Sequence, residues 1–284
     1  MSLPDIEVTA LTVYPVKSMK GIELDSAELT PMGLEHDRRF MVVREDGGFV
    51  TQRDTPLMAL VVTALESGGL VLSRDGFGRI FVPFDREGGR DIHTRVWKDE
   101  CEVTDQGEVV SNWLTEALES SERLQLVSMA RHFVRPQGKP DKLGADTRTL
   151  FADAAPFLVA NENSLERLNQ ELLSRSHQDV PMNRFRPNVV VRGLPAFTEH
   201  GLPKLAGRHY ALKLCHPCER CIVTTIDQST GRKNPDWEPY KTLRDINPMP
   251  GTKKAPAFGQ NAVLESGAGH TIQLGDRLTA IGEK

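Results

Sequence analysis

Cys215-His216-Pro217-Cys218-Glu219-Arg220-Cys221 sets three thiols at two-residue spacing, and thiolate is a soft, strong donor for transition metals. Three chemistries compete for such a run. Structural zinc needs four ligands, yet His216 adjoins Cys215 and no second Cys-x-x-Cys exists in the chain. A cluster of bacterial ferredoxin type needs a fourth cysteine three residues on. That position is Thr225, followed by Ile226 rather than proline, so Cys101 would have to fill in. The third chemistry is a single thiolate that holds a cofactor bringing its own donor atoms, with the other cysteines structural. Arg220 beside Cys221 favours it, because a neighbouring cation stabilises the ligating thiolate. Cys215, in an apolar run with Leu212 and Leu214, reads as a core thiol.

Four basic segments could hold an anion. Lys17-Ser18-Met19-Lys20-Gly21 follows an apolar run and Pro15, and backbone amides, a hydroxyl and a lysine before a glycine turn suit phosphate. Asp37-Arg38-Arg39-Phe40 opens a strand, which predicts that Arg38 and Arg39 point to opposite faces. Thr51-Gln52-Arg53 closes the partner strand and brings a third guanidinium. Arg186, in Phe185-Arg186-Pro187-Asn188, precedes a buried-type strand where an arginine calls for a partner. Arginine suits phosphate and planar heterocycles because its fork is rigid and always charged. Each of these residues taken singly also fits an ordinary surface ion pair.

The elements that must position these groups read as mostly β. Val8–Tyr14, Arg39–Val43 and Phe49–Thr51 are strand-like, and Glu45-Asp46-Gly47-Gly48 between the last two is a hairpin signal. Gly69–Ser73 and Ile80–Pro83 form a second pair through Asp75-Gly76. Asn188–Val191, Tyr210–Leu214, Ile222–Ile226, Ala262–Leu264 and Thr271–Leu274 continue the pattern, as in a barrel or sandwich. Val109, Val110, Trp113, Leu114, Ala117 and Leu118 share one helical face. Leu165, Leu168 and Leu172 share another, with Asn163-Ser164 as its cap. His132 to Asp146 lacks periodicity and reads as a loop or linker. A boundary near residue 125 divides the chain into units 1–125 and 126–284.

The 284 residues, 39% hydrophobic and 26% charged, support a sizeable globular core. A net charge of −4 argues against a nucleic-acid polymer as partner. No apolar run nears the roughly 18 residues of a membrane helix, and Met1–Glu7 lacks the features of a signal peptide. No membrane partner and a cytoplasmic setting are therefore expected. Clustered cysteines fit that compartment better than a disulfide scaffold does.

Taken together, the motifs resemble one family. Tyr14-Pro15-Val16-Lys17-Ser18, Lys20-Gly21, Asp37-Arg38 and Thr51-x-Arg53 look like the MOSC N-terminal β-barrel domain. Phe185-Arg186-Pro187-Asn188, Cys218-x-Arg220-Cys221, Thr224-Thr225, Asp227, Gly231, Pro239 to Leu243 and Phe258-Gly259-Gln260-Asn261 look like the MOSC domain. The resemblance runs from about Val8 to Ile281, in the family's order, and is strongest to bacterial counterparts of the mitochondrial amidoxime-reducing component. It implies a mainly β fold with some α, a MOSC-type β-barrel domain followed by a MOSC β-barrel with a few helices. It implies a molybdenum–molybdopterin cofactor and reduction of N-hydroxylated compounds. The implied metal ligand and catalytic residue is Cys221. The implied cofactor positions are Lys17, Ser18, Arg38, Arg53, Asp153, Ala155, Arg186, Asn188, Glu219, Arg220 and Asn261. Ala154 and Ala155 stand where some relatives carry hydroxyls, and Asn261 where some carry an aromatic residue. Some bacterial relatives append a four-cysteine ferredoxin domain, and no second cysteine cluster stands downstream of Cys221 in this sequence. A separate ferredoxin-, flavoprotein- or cytochrome b5-like electron donor is expected, with a small N-hydroxylated substrate. The alternative is a non-catalytic carrier of cofactor or sulfur.

Overall fold

The computed structural model describes residues 5–86, 88–135, 138–251 and 254–282. The first half supplies β1 (Ile6–Val13), β2 (Ile22–Leu24), β3 (Ser26–Thr30), β4 (Gly33–Leu34) and β5 (Phe40–Arg44). There follow β6 (Val62–Glu66), β7 (Gly69–Arg74), β8 (Gly78–Pro83), β9 (Asp91–Val96), β10 (Asp99–Asp105), α1 (Glu108–Ala117) and β11 (Leu124–Met129). The second half adds α2 (Pro140–Leu143), β12 (Phe157–Asn161), α3 (Glu162–Ser174), β13 (Val189–Arg192), β14 (Lys204–Ala206) and β15 (Ala211–Glu219). It closes with α4 (Tyr240–Ile246), β16 (Ala257–Ser266), β17 (Thr271–Gln273) and β18 (Arg277–Ile281).

Seven strands close a barrel in the order β13-β12-β16-β15-β14-β18-β1, with β1 pairing back onto β13. Only β12 and β13 run parallel in it. The closing strand comes from the start of the chain. β1 turns Ile6, Val8, Leu11 and Val13 inward, with a register shift between Val8 and Ala10 that resets the alternation. It pairs with β13 from Glu7↔Arg192 to Leu11↔Val189 on one side, and with β18 and then β2 on the other. Leu29, Leu34, Phe157, Val159, Val191, Leu212 and Leu278 complete the barrel core, each contributing roughly 1.5–3 kcal/mol by burial.

A second sheet, β5-β11-β10-β9, and a three-stranded sheet, β6-β7-β8, pack with α1 around Phe40, Met58, Leu70, Leu114 and Leu126. The fold is therefore mainly β with some α, as the pattern and the resemblance predict. The hairpins around Asp46-Gly47 and Asp75-Gly76 form where the turn chemistry puts them, with Arg44 N donating to Gly48 O (2.8 Å) and Phe77 N to Arg74 O (3.0 Å).

Four local expectations are corrected. Ile222–Ile226 is not a strand but a 3-10 turn over Ile222–Thr225. The Thr224 and Thr225 hydroxyls donate to the carbonyls of Cys221 (3.0 Å) and Ile222 (2.7 Å), and such local bonds compete with a ladder. Val109 is 77% exposed rather than on the buried face of α1. The cap of α3 is Asn161, whose side chain accepts from Asn163 N. The segment from His132 to Asp146 contains α2, and Arg135 is buried within it, bound to Asp99 and to the carbonyls of Leu150 and Ala152. Residues 136–137 of that segment lie outside the described ones.

Candidate functional site

Lys17 follows a bridge between Val16 and Phe40, and its amide donates to Phe40 O (2.8 Å). Its side chain runs inward. Nζ donates to Phe151 O (2.8 Å), pairs with Asp153 and lies 5.6 Å from the Phe49 ring centroid. Burial pushes the Lys17 ammonium below its ordinary range, and Asp153 offsets part of that. Asp153 also accepts from Trp97 Nε1 (3.0 Å). Desolvation would raise its carboxyl, but Lys17 and Trp97 outweigh it and hold Asp153 well below the usual carboxylate range. Ser18 is left-handed (φ +69°), which turns its carbonyl to Gln52 Nε2 (2.7 Å).

Arg38 and Arg186 meet on Tyr14. Their guanidinium carbons lie 4.4 and 4.2 Å from its ring centroid, within cation–π range. Both backbones are left-handed, at φ +46° and +53°. Arg38 grips both oxygens of Asp37 (2.7 and 2.6 Å) and donates to Arg186 O (3.3 Å). Asp37 also accepts from Tyr14 N (2.9 Å) and Asn188 Nδ2 (3.0 Å). Burial pushes the Asp37 carboxyl up, against the pull of Arg38. Arg186 donates to Met19 O (2.6 Å), and burial lowers its pKa to about 10. Arg39 goes elsewhere, onto Phe84 and its carbonyl. The two neighbouring arginines diverge as predicted, but the left-handed turn at Arg38 separates them rather than the pleat.

The cysteine run forms the end of β15 and the turn after it. Arg220 N donates to Pro256 O (2.9 Å), its Nη2 to Phe185 O (2.9 Å) and its Nη1 to Cys218 Sγ (2.9 Å). Burial works against the Arg220 charge, but Cys218 and Cys221 outweigh it and hold its pKa up. The cation in contact with Cys221 is Arg53, whose Nη2 lies 3.1 Å from Sγ. Arg53 also lies 4.8 Å from the Trp97 ring centroid. Among the described residues, no group of three or more Cys, His, Asp and Glu side chains is arranged to hold a metal ion. The three thiols therefore do not share a cage, as zinc or an iron–sulfur cluster would need.

These contacts join into one chain of neighbours. Lys17 leads to Asp153, Asp153 to Trp97, Trp97 to Arg53, and Arg53 to Cys221. Arg220 leads to Phe185, next to Arg186, which shares Tyr14 with Arg38. Of the positions singled out in the sequence, Lys17, Arg38, Arg53, Asp153, Arg186, Arg220 and Cys221 fall within this network, and Ser18 adjoins it next to Lys17, its carbonyl held by Gln52. Asn188 stands behind it, its amide engaged with Asp37, Thr12 O and Leu158 N. Ala155 is buried and Glu219 exposed. Asn261 pairs with His216 Nδ1 (3.2 Å) between β16 and β15. Sequence reasoning gave no role to Tyr14, Asp37 or Trp97. Asp37 adjoins a singled-out arginine and Tyr14 opens a quoted motif, so both were within reach. Trp97 carries no turn or motif signal.

Four buried guanidinium nitrogens lack a hydrogen-bond partner among the described residues, and two of them, Arg186 Nη2 and Arg220 Nε, belong to this network, the others being Nε of Arg123 and Arg184. An unsatisfied buried donor costs about 1–3 kcal/mol, more when charged. Among the described residues, the ion pairs of Lys17, Arg38, Arg53, Arg186 and Arg220 are with two carboxylates, Asp37 and Asp153. A cysteine sulfur, excess positive charge and unpartnered donors fit an anionic, sulfur-bearing, planar cofactor.

Two family models match the chain, the MOSC N-terminal beta barrel domain over residues 5–121 and the MOSC domain over residues 146–279. The chain is 34% identical to mitochondrial amidoxime-reducing component 1 of Homo sapiens, over 97% of this chain and 83% of the relative. It is 34% identical to the Danio rerio counterpart, over 89% and 78%. It is 32% identical to mitochondrial amidoxime reducing component 2 of Bos taurus, over 89% and 77%. No helix among the described residues is long and apolar enough to cross a membrane.

Proposed function

The chain belongs to the MOSC-domain family that includes the amidoxime-reducing components, and on that premise we propose that it is a molybdenum-cofactor reductase of N-hydroxylated compounds. The observation that carries the reading is the Cys221 thiol in contact with Arg53, within a cationic network that holds unpartnered buried donors. Cys221 would be the metal's protein ligand. Lys17, Ser18, Arg38, Arg186 and Arg220 would hold the phosphate and the pterin. When bound, the cofactor supplies the two-electron chemistry that removes oxygen from nitrogen.

The residues contribute binding, orientation and charge. Arg53 holds the Cys221 sulfur by a hydrogen bond and fixes its direction. Tyr14 and Asp37 fix the Arg38 and Arg186 forks before any ligand arrives, which lowers the entropy lost on binding. Electrons come from a separate ferredoxin-, flavoprotein- or cytochrome b5-like donor, and the substrate is small and N-hydroxylated.

Protein expressed with molybdenum cofactor and reduced by a viologen dye should convert benzamidoxime to benzamidine. Cys221→Ala should abolish turnover and remove one sulfur ligand from the metal's X-ray absorption spectrum, leaving those of the cofactor itself, while Cys218→Ala keeps most of the turnover and the full sulfur count. Loaded wild-type protein that reduces no N–O compound would sink the reading in favour of a cofactor or sulfur carrier. Transfer of cofactor to an apo-molybdoenzyme would then be the measurement to make.

A further inference from the structure

Trp97 occupies a position that the backbone would give to glycine. Val96 pairs with Asp99, so Trp97 and Lys98 form a two-residue hairpin loop. Trp97 takes φ +59° as its first central residue. Positive φ there is met by Gly, Asn or Asp in ordinary hairpins, and a bulky residue in that region is strained. Strain of this kind persists where the surroundings hold it and gathers at ligand sites. The indole is nonetheless 44% exposed, so core burial does not explain it.

Three side chains aim the indole. Asp153 accepts from its Nε1, Arg53 lies over the ring, and Phe49 meets it edge to face with centroids 5.3 Å apart. Phe49 and Trp97 also line a cleft of about 510 Å³, whose other walls include Gly48, Thr94, Arg95 and Glu100. That volume lies within the usual range of about 300–1,000 Å³ for small-molecule pockets. Cys221 lies one guanidinium away, since the Arg53 fork over Trp97 reaches Sγ.

We propose that the Phe49–Trp97 cleft binds the flat, delocalised part of an N-hydroxylated substrate, an aryl amidoxime or a heteroaromatic base, and presents its N–O end toward Cys221. This specificity site rests on the reductase reading and deepens it. Offset or edge-on aromatic packing recognises a flat ring without hydrogen-bond readout. Arg95 and Glu100 are already paired with each other (2.7 Å), and Asp46, whose carboxylate accepts from Gly48 N (2.8 Å), adds negative charge to the cleft wall, so the cleft suits a neutral or cationic ring rather than an anionic one. The site therefore discriminates by shape, favouring aryl over small aliphatic N–O compounds.

The test compares cofactor-loaded wild type, Trp97→Phe and Trp97→Gly with a viologen dye as reductant, on benzamidoxime and on hydroxylamine. Trp97→Gly should raise the KM for benzamidoxime at least tenfold more than it raises that for hydroxylamine. Trp97→Phe should fall between. Because glycine relieves the left-handed backbone, Trp97→Gly should melt no lower than wild type. Equal changes for both substrates, no change for either, or a clear loss of thermal stability would overturn the proposal. Indole fluorescence separates this outcome from failure of the reductase reading. Benzamidoxime should quench wild-type emission, and Trp97→Phe should lose that component whether or not the loaded protein turns over. Quenching without turnover would retire the reductase reading alone, and turnover with an undisturbed Trp97 signal would retire the cleft.

Discussion

Arg186 shows how a single residue records a missing counter-charge. Its guanidinium is buried on Tyr14, has one nitrogen without a partner, and has its pKa lowered to about 10. A depressed basic pKa means that the charged form is held at a cost at neutral pH, and that cost is relieved when an anion binds. Inorganic pyrophosphate should therefore raise the melting temperature of cofactor-free protein. At one hundred times its dissociation constant the gain is about 2.7 kcal/mol, roughly 5–10 °C for a chain of this size. Arg186→Gln should lose most of that increment in differential scanning calorimetry. An increment unchanged in the variant would remove Arg186 from the anion site. The same scale explains the partition of the cysteines. Arg220 is Cys221's neighbour in sequence, but its fork turns back to Cys218 and Phe185, and Arg53 reaches Cys221 from 168 residues away.

Short elements are held in place by contacts that sequence distance hides. Gln52 and Gln228 exchange amide hydrogen bonds (3.0 and 2.9 Å) and donate further to Ser18 O and Ile226 O. Both are buried. This clasp fixes the loop carrying Ser18, the loop carrying Arg53 and the turn after Cys221 relative to one another. Replacing either glutamine by alanine leaves the other's amide short of a partner, at about 1–3 kcal/mol. A urea-unfolding double-mutant cycle on Gln52→Ala and Gln228→Ala should give a coupling above about 0.5 kcal/mol. Additive losses would show that the two amides act independently. In β16, Gly259 adopts φ +71°, and a Cβ there would lie 2.8 Å from Val159 O. Gly259→Ala should strain the β12–β16 seam and lower stability by at least about 1 kcal/mol, the cost of left-handed backbone for an L-residue. A variant as stable as wild type would contradict that contact.

At the scale of the whole molecule, the two ends of the chain build one barrel. β1 fills the gap between β13 and β18, and the cationic network draws Lys17, Arg38 and Arg53 from the first half and Arg186, Arg220 and Cys221 from the second. A fragment of residues 126–284 lacks the closing strand and should expose the edges of β13 and β18, which invites aggregation. It should therefore show no cooperative thermal transition, whereas the full chain unfolds in one. A folded, monomeric fragment would mean that the late strands close a barrel without β1.

Composition and period carried the β-rich class, and the Asp-Gly and Gly-Gly turns marked hairpins because turn chemistry is local. The arginine, lysine and cysteine motifs named most of the residues that now form the network, because their chemistry is intrinsic to the side chains. The sequence could not say which arginine meets which thiol, since Arg53 reaches Cys221 from a distant loop while Arg220 turns back to Cys218, nor that left-handed turns set the directions at Ser18, Arg38 and Arg186. It misread Ile222–Ile226 because β-branched residues have strand propensity that threonine hydroxyls, bonded locally, override. It passed over Trp97, whose importance lies in a strained backbone angle, an exposed ring and a cleft shared with Phe49. Barrel closure by β1 was equally hidden. Pairing of β1 with β13, from Glu7↔Arg192 to Leu11↔Val189, depends on which edges remain open after every nearer strand has paired, and only the assembled sheet decides that.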